Sequence, residues 1–514
     1  MKARILPLLL ALLLSVCALA GCGGEGDQYG DPNANREVPS DSVKLELERE
    51  SNGKSVQMVG TELDPHFLTG NVGRTMTSQA DGSTVTVKES DWNDYILPRV
   101  REMKLGYIRT MLLPSWWAKE EVCYTDKAYT WDSPKMQDVY LVLDAAQELG
   151  MEVCLTIWLW DCDYARLDAS RGESWSDEGW TLCPQGEGDT VFAEVFADCV
   201  DYLINTRGYT CIKWITPINE PNSTYGANYS PVQAVEAYAS LCREIDRVFR
   251  EKGIREKVKF SLSDDARSST WLYQTCELLQ GVYDVVNSHT YDFDESYTNE
   301  EIVGEGAYCL KNYVEAADEY GVPHVYGEFG TNTYTGTSNW KEPRRGLQIA
   351  RIAANMFQSG SCGMSYWMLF CYYWNWTGAD ESIGNVMGLW GAADENYNCY
   401  PVYYAYSMLT RFVRAGMEIY PVQTDDPNLV AVSFKSGEDW TYLVVNDSET
   451  ESKKISFLNN ARFPGAMKRY VYDQNNVPTD NKVIASNGTV TPDGRVLTDT
   501  LAPLTFTVYT TLPA

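Results

Sequence analysis

The chain is expected to fold as an α/β protein, a (β/α)8 barrel of the TIM type carrying a C-terminal all-β sandwich. Three observations lead there. A unit of helix, glycine and apolar strand recurs along most of the sequence, no glycine-rich phosphate loop follows the first strand, and past Gly416 the texture changes to short strands between Gly, Asn, Asp and Pro turns.

The repeating unit is explicit. Leu105-Gly106 precedes an apolar run at 107–113, Leu149-Gly150 one at 153–160, and Arg207-Gly208 one at 212–218. Gly253, Gly281, Gly321 and Gly360 stand in the same way before 258–262, 285–291, 324–328 and 364–370. A glycine just past a helix supplies the left-handed turn that stops it. Seven such strands, with an eighth at about 59–67, suit closure into a barrel. A doubly wound open sheet also alternates helix and strand, but it carries a glycine-rich loop after its first strand. The helices pass the same check of period: Phe192, Val195, Phe196, Cys199 and Leu203 share one face. Ser133-Pro134 and Ser230-Pro231 each place a capping hydroxyl before a first-turn proline.

Barrel residues are expected over 43–416 and the sandwich over 417–514, with strands at 429–435, 441–445, 454–457, 468–472 and 505–509. Val43, Leu45 and Leu47 alternate with charged residues, the pattern of a short strand with one apolar face that can pair with that later sheet. Ahead of it, 22–42 is rich in Gly, Asp, Asn and Pro and reads as a solvated tether. The first 21 residues read as a signal peptide: Lys2 and Arg4 precede an apolar run over 5–20 that contains Pro7 and is shorter than the ~20 residues of a spanning helix. Leu19-Ala20-Gly21-Cys22 resembles the bacterial lipobox, which implies lipid attachment at Cys22 and a protein anchored at the bacterial cell surface, facing outward.

Composition narrows the function. The 514 residues exceed one ordinary core, and 44% apolar with 12% aromatic residues describes a globular chain. A net charge of −29 repels nucleic acid and anionic membranes, so neutral substrates fit better and the lipid is the only membrane contact expected. Sixteen Trp and 34 Tyr are more than a core requires, and sugar rings stack on aromatic faces. Of the 14 cysteines, Cys154, Cys199, Cys242 and Cys362 fall on apolar positions and read as small buried hydrophobes, while Cys162 and Cys183 flank a loop and are the best disulfide pair. Three histidines, no C-x-x-C and no H-E-x-x-H leave no metal site or cofactor to expect.

Two strands end on glutamate: Ile215-Thr216-Pro217-Ile218-Asn219-Glu220-Pro221 and Val325-Tyr326-Gly327-Glu328-Phe329-Gly330. Barrel enzymes place their chemistry at strand tips, and paired carboxylates carry most glycosidic bond hydrolysis. The phrases N-E-P and G-E-F-G resemble the acid/base and nucleophile strands of the retaining clan-A glycoside hydrolases, closest in wording to family five.

That resemblance implies Glu220 as acid/base and Glu328 as nucleophile, Arg109 bonding the nucleophile, and Asn219 holding the sugar 2-hydroxyl. It also implies His289 and Tyr291 as the sixth-strand pair and Trp367 as the floor of the reacting sugar. A fixed guanidinium keeps a neighbouring carboxylate ionised, so the Arg109 role also makes physical sense. At the third strand tip the chain departs from family five, reading Ile157-Trp158-Leu159-Trp160 where the family usually carries histidine. Trp160, with Trp116, Trp117, Trp158, Trp374 and Trp376, lies where a cleft would open and is a candidate sugar-stacking residue. The expected activity is retaining hydrolysis of β-glycosidic bonds in neutral poly- or oligosaccharides of β-glucan or mannan type. The alternative is a surface carbohydrate-binding lipoprotein without catalysis.

Overall fold

The computed structural model describes residues 35–48, 50–118, 129–158, 173–176, 179–182, 184, 189–222, 234–293, 296–304, 310–331, 341–372 and 387–513. Cys22 with residues 23–34 of its tether, the Cys162 and Cys183 pair, Ser230-Pro231, Trp160, Trp374 and Trp376 lie outside the described residues. The rest of the expected tether, 35–42, is not free of the fold: the Arg495 N–H donates to the Asn35 carbonyl at 2.8 Å, and the Ser42 and Ser456 hydroxyls are 2.8 Å apart. Among the described residues no helix is long and apolar enough to cross a membrane.

Eight parallel strands close into a barrel: Met58–Glu62, Tyr107–Leu112, Glu152–Ile157, Ile212–Thr216, Lys259–Ala266, Val285–Thr290, His324–Phe329 and Gly363–Tyr366. Closure is direct, with Gly363 in register with Met58. The lower end of the interior is filled by Met58, Tyr107, Cys154, Trp214, Val285, Val325 and Cys362. Gly60 is required here, since a Cβ would stand 1.9 Å from the Tyr107 carbonyl oxygen of the next strand. Above that apolar layer the inward positions turn polar, and this prepares the site.

Most of the helix stops follow the expected chemistry. Gly150, Gly208, Gly253, Gly281, Gly321 and Gly360 all take positive φ. Gly106 does not: the helix Leu97–Met103 ends earlier, and Lys104 takes the left-handed position at φ 50°. Ser133 caps the helix Pro134–Leu149 by accepting from the Met136 N–H at 3.1 Å, a contact worth about 1 kcal/mol.

Strand ends differ from the sequence reading in both directions. The first, third, fourth and eighth strands stop short of the apolar runs, at Glu62, Ile157, Thr216 and Tyr366; Leu63, Phe67, Met368, Leu369 and Phe370 beyond the first and eighth are buried, and the Leu63 and Leu369 N–H groups still donate to the Arg109 and Glu62 carbonyls. The fifth strand is longer, running on to Ala266 through a bulge between Ser263 and Asp265. Its last residues are polar, so an apolar run could not reveal them.

Apart from two short hairpins, Thr75–Thr77 with Thr84–Thr86 and Glu173–Ser176 with Gly179–Leu182, the remaining described strands form one nine-stranded sheet. Val43–Leu47 sits inside it, antiparallel to Glu418–Gln423 and parallel to Lys453–Leu458. Leu45 and Leu47 thereby enter a core with Trp440, Tyr442, Phe457 and Tyr509. The other face packs on the barrel helix Pro343–Gln358, where Phe357 meets Phe434 edge-on at 4.9 Å and Arg351 and Arg344 both pair with Asp447. Cys154, Cys199, Cys242 and Cys362 are buried free thiols.

Candidate active site

Arg109, third residue of the second strand, is 1% exposed and is the hub of the polar layer. Its Nη1 donates to Glu62 Oε2 at 2.6 Å and to Glu328 Oε1 at 2.7 Å. Its Nη2 donates to Asn219 Oδ1 and to Asp264 Oδ2, each at 2.7 Å. Four strands are thus tied to one planar fork, which matches oxygens on several sides at once.

Glu328, on the seventh strand, is held on both oxygens, since the Tyr291 hydroxyl donates to Oε2 at 2.7 Å. Glu220 follows the fourth strand in a turn, at φ 43°, a left-handed conformation that a non-glycine residue adopts at a cost. Its side chain is 21% exposed, against 6% for Glu328. His289, on the sixth strand, stands between them: Nδ1 is 2.9 Å from Glu220 Oε1 and 3.4 Å from Glu328 Oε2, and Nε2 is 3.2 Å from Asp264 Oδ1.

Trp367 is buried at the eighth strand tip with its ring stacked on Trp158, centroids 5.7 Å apart. Trp117 is fully buried, its indole N–H on the Val195 carbonyl, so it is core; Trp116 is also buried, edge-on to His66. Asn219 has its oxygen taken by Arg109, which leaves its NH2 as the group free to meet a hydroxyl.

The charges do not balance one for one. Glu62, Asp64, Glu220, Asp264, Asp265 and Glu328 surround one guanidinium, Arg109, and one imidazole, His289. Burial pushes Glu62 well above the carboxylate range and Asp64 to about 8, outweighing the pull of Arg109 on Glu62 and of Tyr372 and Arg109 on Asp64. It also raises Glu328, against the pull of His289 and Arg109. Asp264 goes the other way: burial would raise it, but Arg109 and His289 together bring it below its ordinary value. His289 is held well above its ordinary value, burial being outweighed by Glu328, Asp264 and the contact with Glu220. Burial pushes the other two histidines, His66 and His324, down to about 3.

Sequence reading named Arg109, Asn219, Glu220, His289, Tyr291 and Glu328, and the fold brings all six together. It missed Glu62, Asp64 and Asp264. The signal that picked out Glu220 and Glu328 was present for them too, since the first and fifth apolar runs also end on acids, Glu62-Leu63-Asp64 and Asp264-Asp265.

Glu220, His289 and Glu328 each offer an atom within 4.8 Å of the others, a spacing that would admit a cation. Both Glu328 oxygens already accept hydrogen bonds, from Arg109 and Tyr291, and the surrounding acids hold the His289 pKa above its ordinary value, an arrangement suited to proton chemistry. The layout offers one carboxyl fixed in a buried cradle and a second, more exposed, close beside it.

No protein-family model matches the sequence, and no curated protein matches it. The fold does have solved counterparts. It is similar to the catalytic domain of a GH30 xylanase C from Talaromyces cellulolyticus, at a TM-score of 0.63 and 13% identity, covering 91% of this chain and 99% of that one. It is similar to a GH39 enzyme from Xanthomonas axonopodis pv. citri, at a TM-score of 0.56 and 13% identity, covering 93% of this chain and 98% of that one. An α-L-arabinofuranosidase from Thermotoga maritima gives 0.59 and 13% over 91% and 99%. Coverage is near complete on both sides, so the likeness takes in the barrel and the attached sheet together. These neighbours are glycoside hydrolases, and at such identity what is shared is the two-domain fold.

Proposed function

We propose that the chain is a retaining glycoside hydrolase that cleaves β-glycosidic bonds in neutral poly- or oligosaccharides by double displacement. The observation that carries the reading is the approach of Glu220 and Glu328, which bring carboxylate oxygens within 4.8 Å of each other. Retention uses a gap of ~5–5.5 Å, whereas inversion needs roughly 6.5–9.5 Å to seat a water between them.

In this reading Glu328 attacks the anomeric carbon while Glu220 protonates the departing glycosidic oxygen. Glu220, now a carboxylate, then takes a proton from water, which displaces Glu328 from the glycosyl ester. Arg109 and Tyr291 hold the Glu328 oxygens in line for attack, the Asn219 NH2 meets the 2-hydroxyl, and Trp367 floors the ring. Trp160 belongs to the same proposal as a stacking residue, on sequence grounds alone.

The likeness in fold to GH30 and GH39 enzymes supports the class. The family-five wording supports the same clan, and a β-glucan or mannan backbone is the substrate it suggests. The lipobox supports a site of action at the bacterial cell surface, with Cys22 as the anchor.

The test is product release from a panel of neutral glycans, with Glu220→Gln as the blank and the first-formed anomer followed by proton NMR. A retained anomer from the parent alone is expected. Binding to a glycan without any turnover would instead favour the carbohydrate-binding lipoprotein.

A further inference from the structure

Asp264 reaches both halves of the site. Its Oδ2 accepts from Arg109, which holds Glu328, and its Oδ1 faces His289, which holds Glu220. It is fully buried.

The backbone is bent to put it there. Ser263 pairs with Asn287 and Asp265 with Ser288, so Asp264 is the extra residue of the bulge, with φ 78° at Ser263 and 48° at Asp264. An extra residue in a ladder re-aims a side chain that the two-residue period would have sent elsewhere. Both flanks of the bulge are tied down: the Ser263 N–H donates to the Tyr238 oxygen at 3.2 Å, and Asp265 accepts from the Ser268 N–H at 2.8 Å and from the Ser263 hydroxyl at 2.9 Å. Space is left as well. A Cβ on Gly327, next to Glu328, would stand 3.1 Å from Asp264 Oδ1 and 2.8 Å from Asn287 Oδ1.

We propose that Asp264 is a positioning residue that couples the two reacting carboxyls, fixing with one oxygen the guanidinium that aligns Glu328 and with the other the imidazole that faces Glu220. The proposal rests on the reading of Glu220 and Glu328 as the reacting pair. A strained, anchored bulge is the kind of device that holds a group where function needs it. An amide at this position could accept from Arg109 or from His289 but not from both, because its NH2 would face a second donor.

Asp264 also sets the charge of His289. Around the imidazole stand Asp264 from the fifth strand, Glu220 from the turn after the fourth and Glu328 from the seventh; Asp265 acts from farther off, and Arg109 shares Asp264 and Glu328 with it. Removing the Asp264 charge therefore lets His289 lose its proton at lower pH.

The sequence holds only three histidines, so selective 15N-histidine labelling resolves each ring. In the parent, one imidazole should titrate well above the ordinary range while the other two stay neutral. Asp264→Asn should move that one midpoint down by about a pH unit or more and lower kcat about 10- to 100-fold at similar KM, the loss of one or two charge-assisted hydrogen bonds. If Asp264→Asn does not fold, Asp264→Glu, which keeps the charge but displaces it, should leave His289 protonated and still lower kcat. A folded Asp264→Asn with an unmoved titration, or either variant with parental kcat, overturns the proposal. The titration needs no sugar. A parent that hydrolyses no glycan, with the midpoint still shifted by Asp264→Asn, would sink the hydrolase reading while upholding the hold of Asp264 on His289.

Discussion

Arg109 Nη1 lies 2.6 Å from Glu62 and 2.7 Å from Glu328, so one nitrogen serves a buried acid of the first strand and the cradled carboxyl of the seventh. Glu62 is fully buried and pushed toward its neutral form, first by burial and then by Glu328 and Asp64. Glu62→Gln, which keeps an oxygen for Arg109 and adds no charge, should leave kcat within about 3-fold. Glu62→Ala removes an acceptor from a buried cation and should cost about 2–3 kcal/mol in urea unfolding. A large loss of activity in Glu62→Gln would show that Glu62 works as an anion.

The carboxyl roles separate by variant. Glu328→Ala should abolish hydrolysis of natural glycans. Glu220→Ala should spare the first step for substrates with good leaving groups, and azide should restore its turnover by attacking the trapped intermediate to give a β-glycosyl azide. An α-azide would reverse the assignment.

Trp367 is 7% exposed and stacks on Trp158. Trp367→Ala should lower kcat about 10-fold or more, since contact with the ring matters most as the oxocarbenium ion develops. It should also cost about 3 kcal/mol of stability, so kcat is measured well below the melting temperature. Parental kcat in a folded variant would assign Trp367 to the core alone.

Stability should fall as pH rises from about 4 to 8. Asp64 carries a proton up to about pH 8 in the folded chain but only up to ~4 when unfolded, so the folded state binds more protons across that window and loses stability as pH climbs. His289 acts in the same sense, its stabilising proton being lost as pH passes from ~6.5 through its raised folded value. Asp64→Asn should therefore show a shallower fall in Tm between pH 4 and 8 than the parent. Equal slopes would mean that Asp64 ionises normally in the fold.

Cys22→Ala should move the protein from the membrane fraction to the medium or to an uncleaved precursor, read by fractionation and N-terminal mass. An unmodified N-terminus in the parent would rule out the anchor.

The helix-glycine-strand rhythm, the capped start at Ser133 and the phrases around Glu220 and Glu328 were legible because each depends on neighbours a few residues away. Backbone sterics and period-two alternation act over that range, and they are written into consecutive residues. The partners of those residues are not. Val43–Leu47 alternates like any half-buried strand, but its place between Glu418–Gln423 and Lys453–Leu458 is chosen by pairing across hundreds of residues. Glu62, Asp64 and Asp264 look like ordinary acids at the ends of apolar runs. Their protonation and their roles arise only when closure of the barrel buries them around one guanidinium and one imidazole, since desolvation and Coulomb interaction depend on distances that the chain order does not contain.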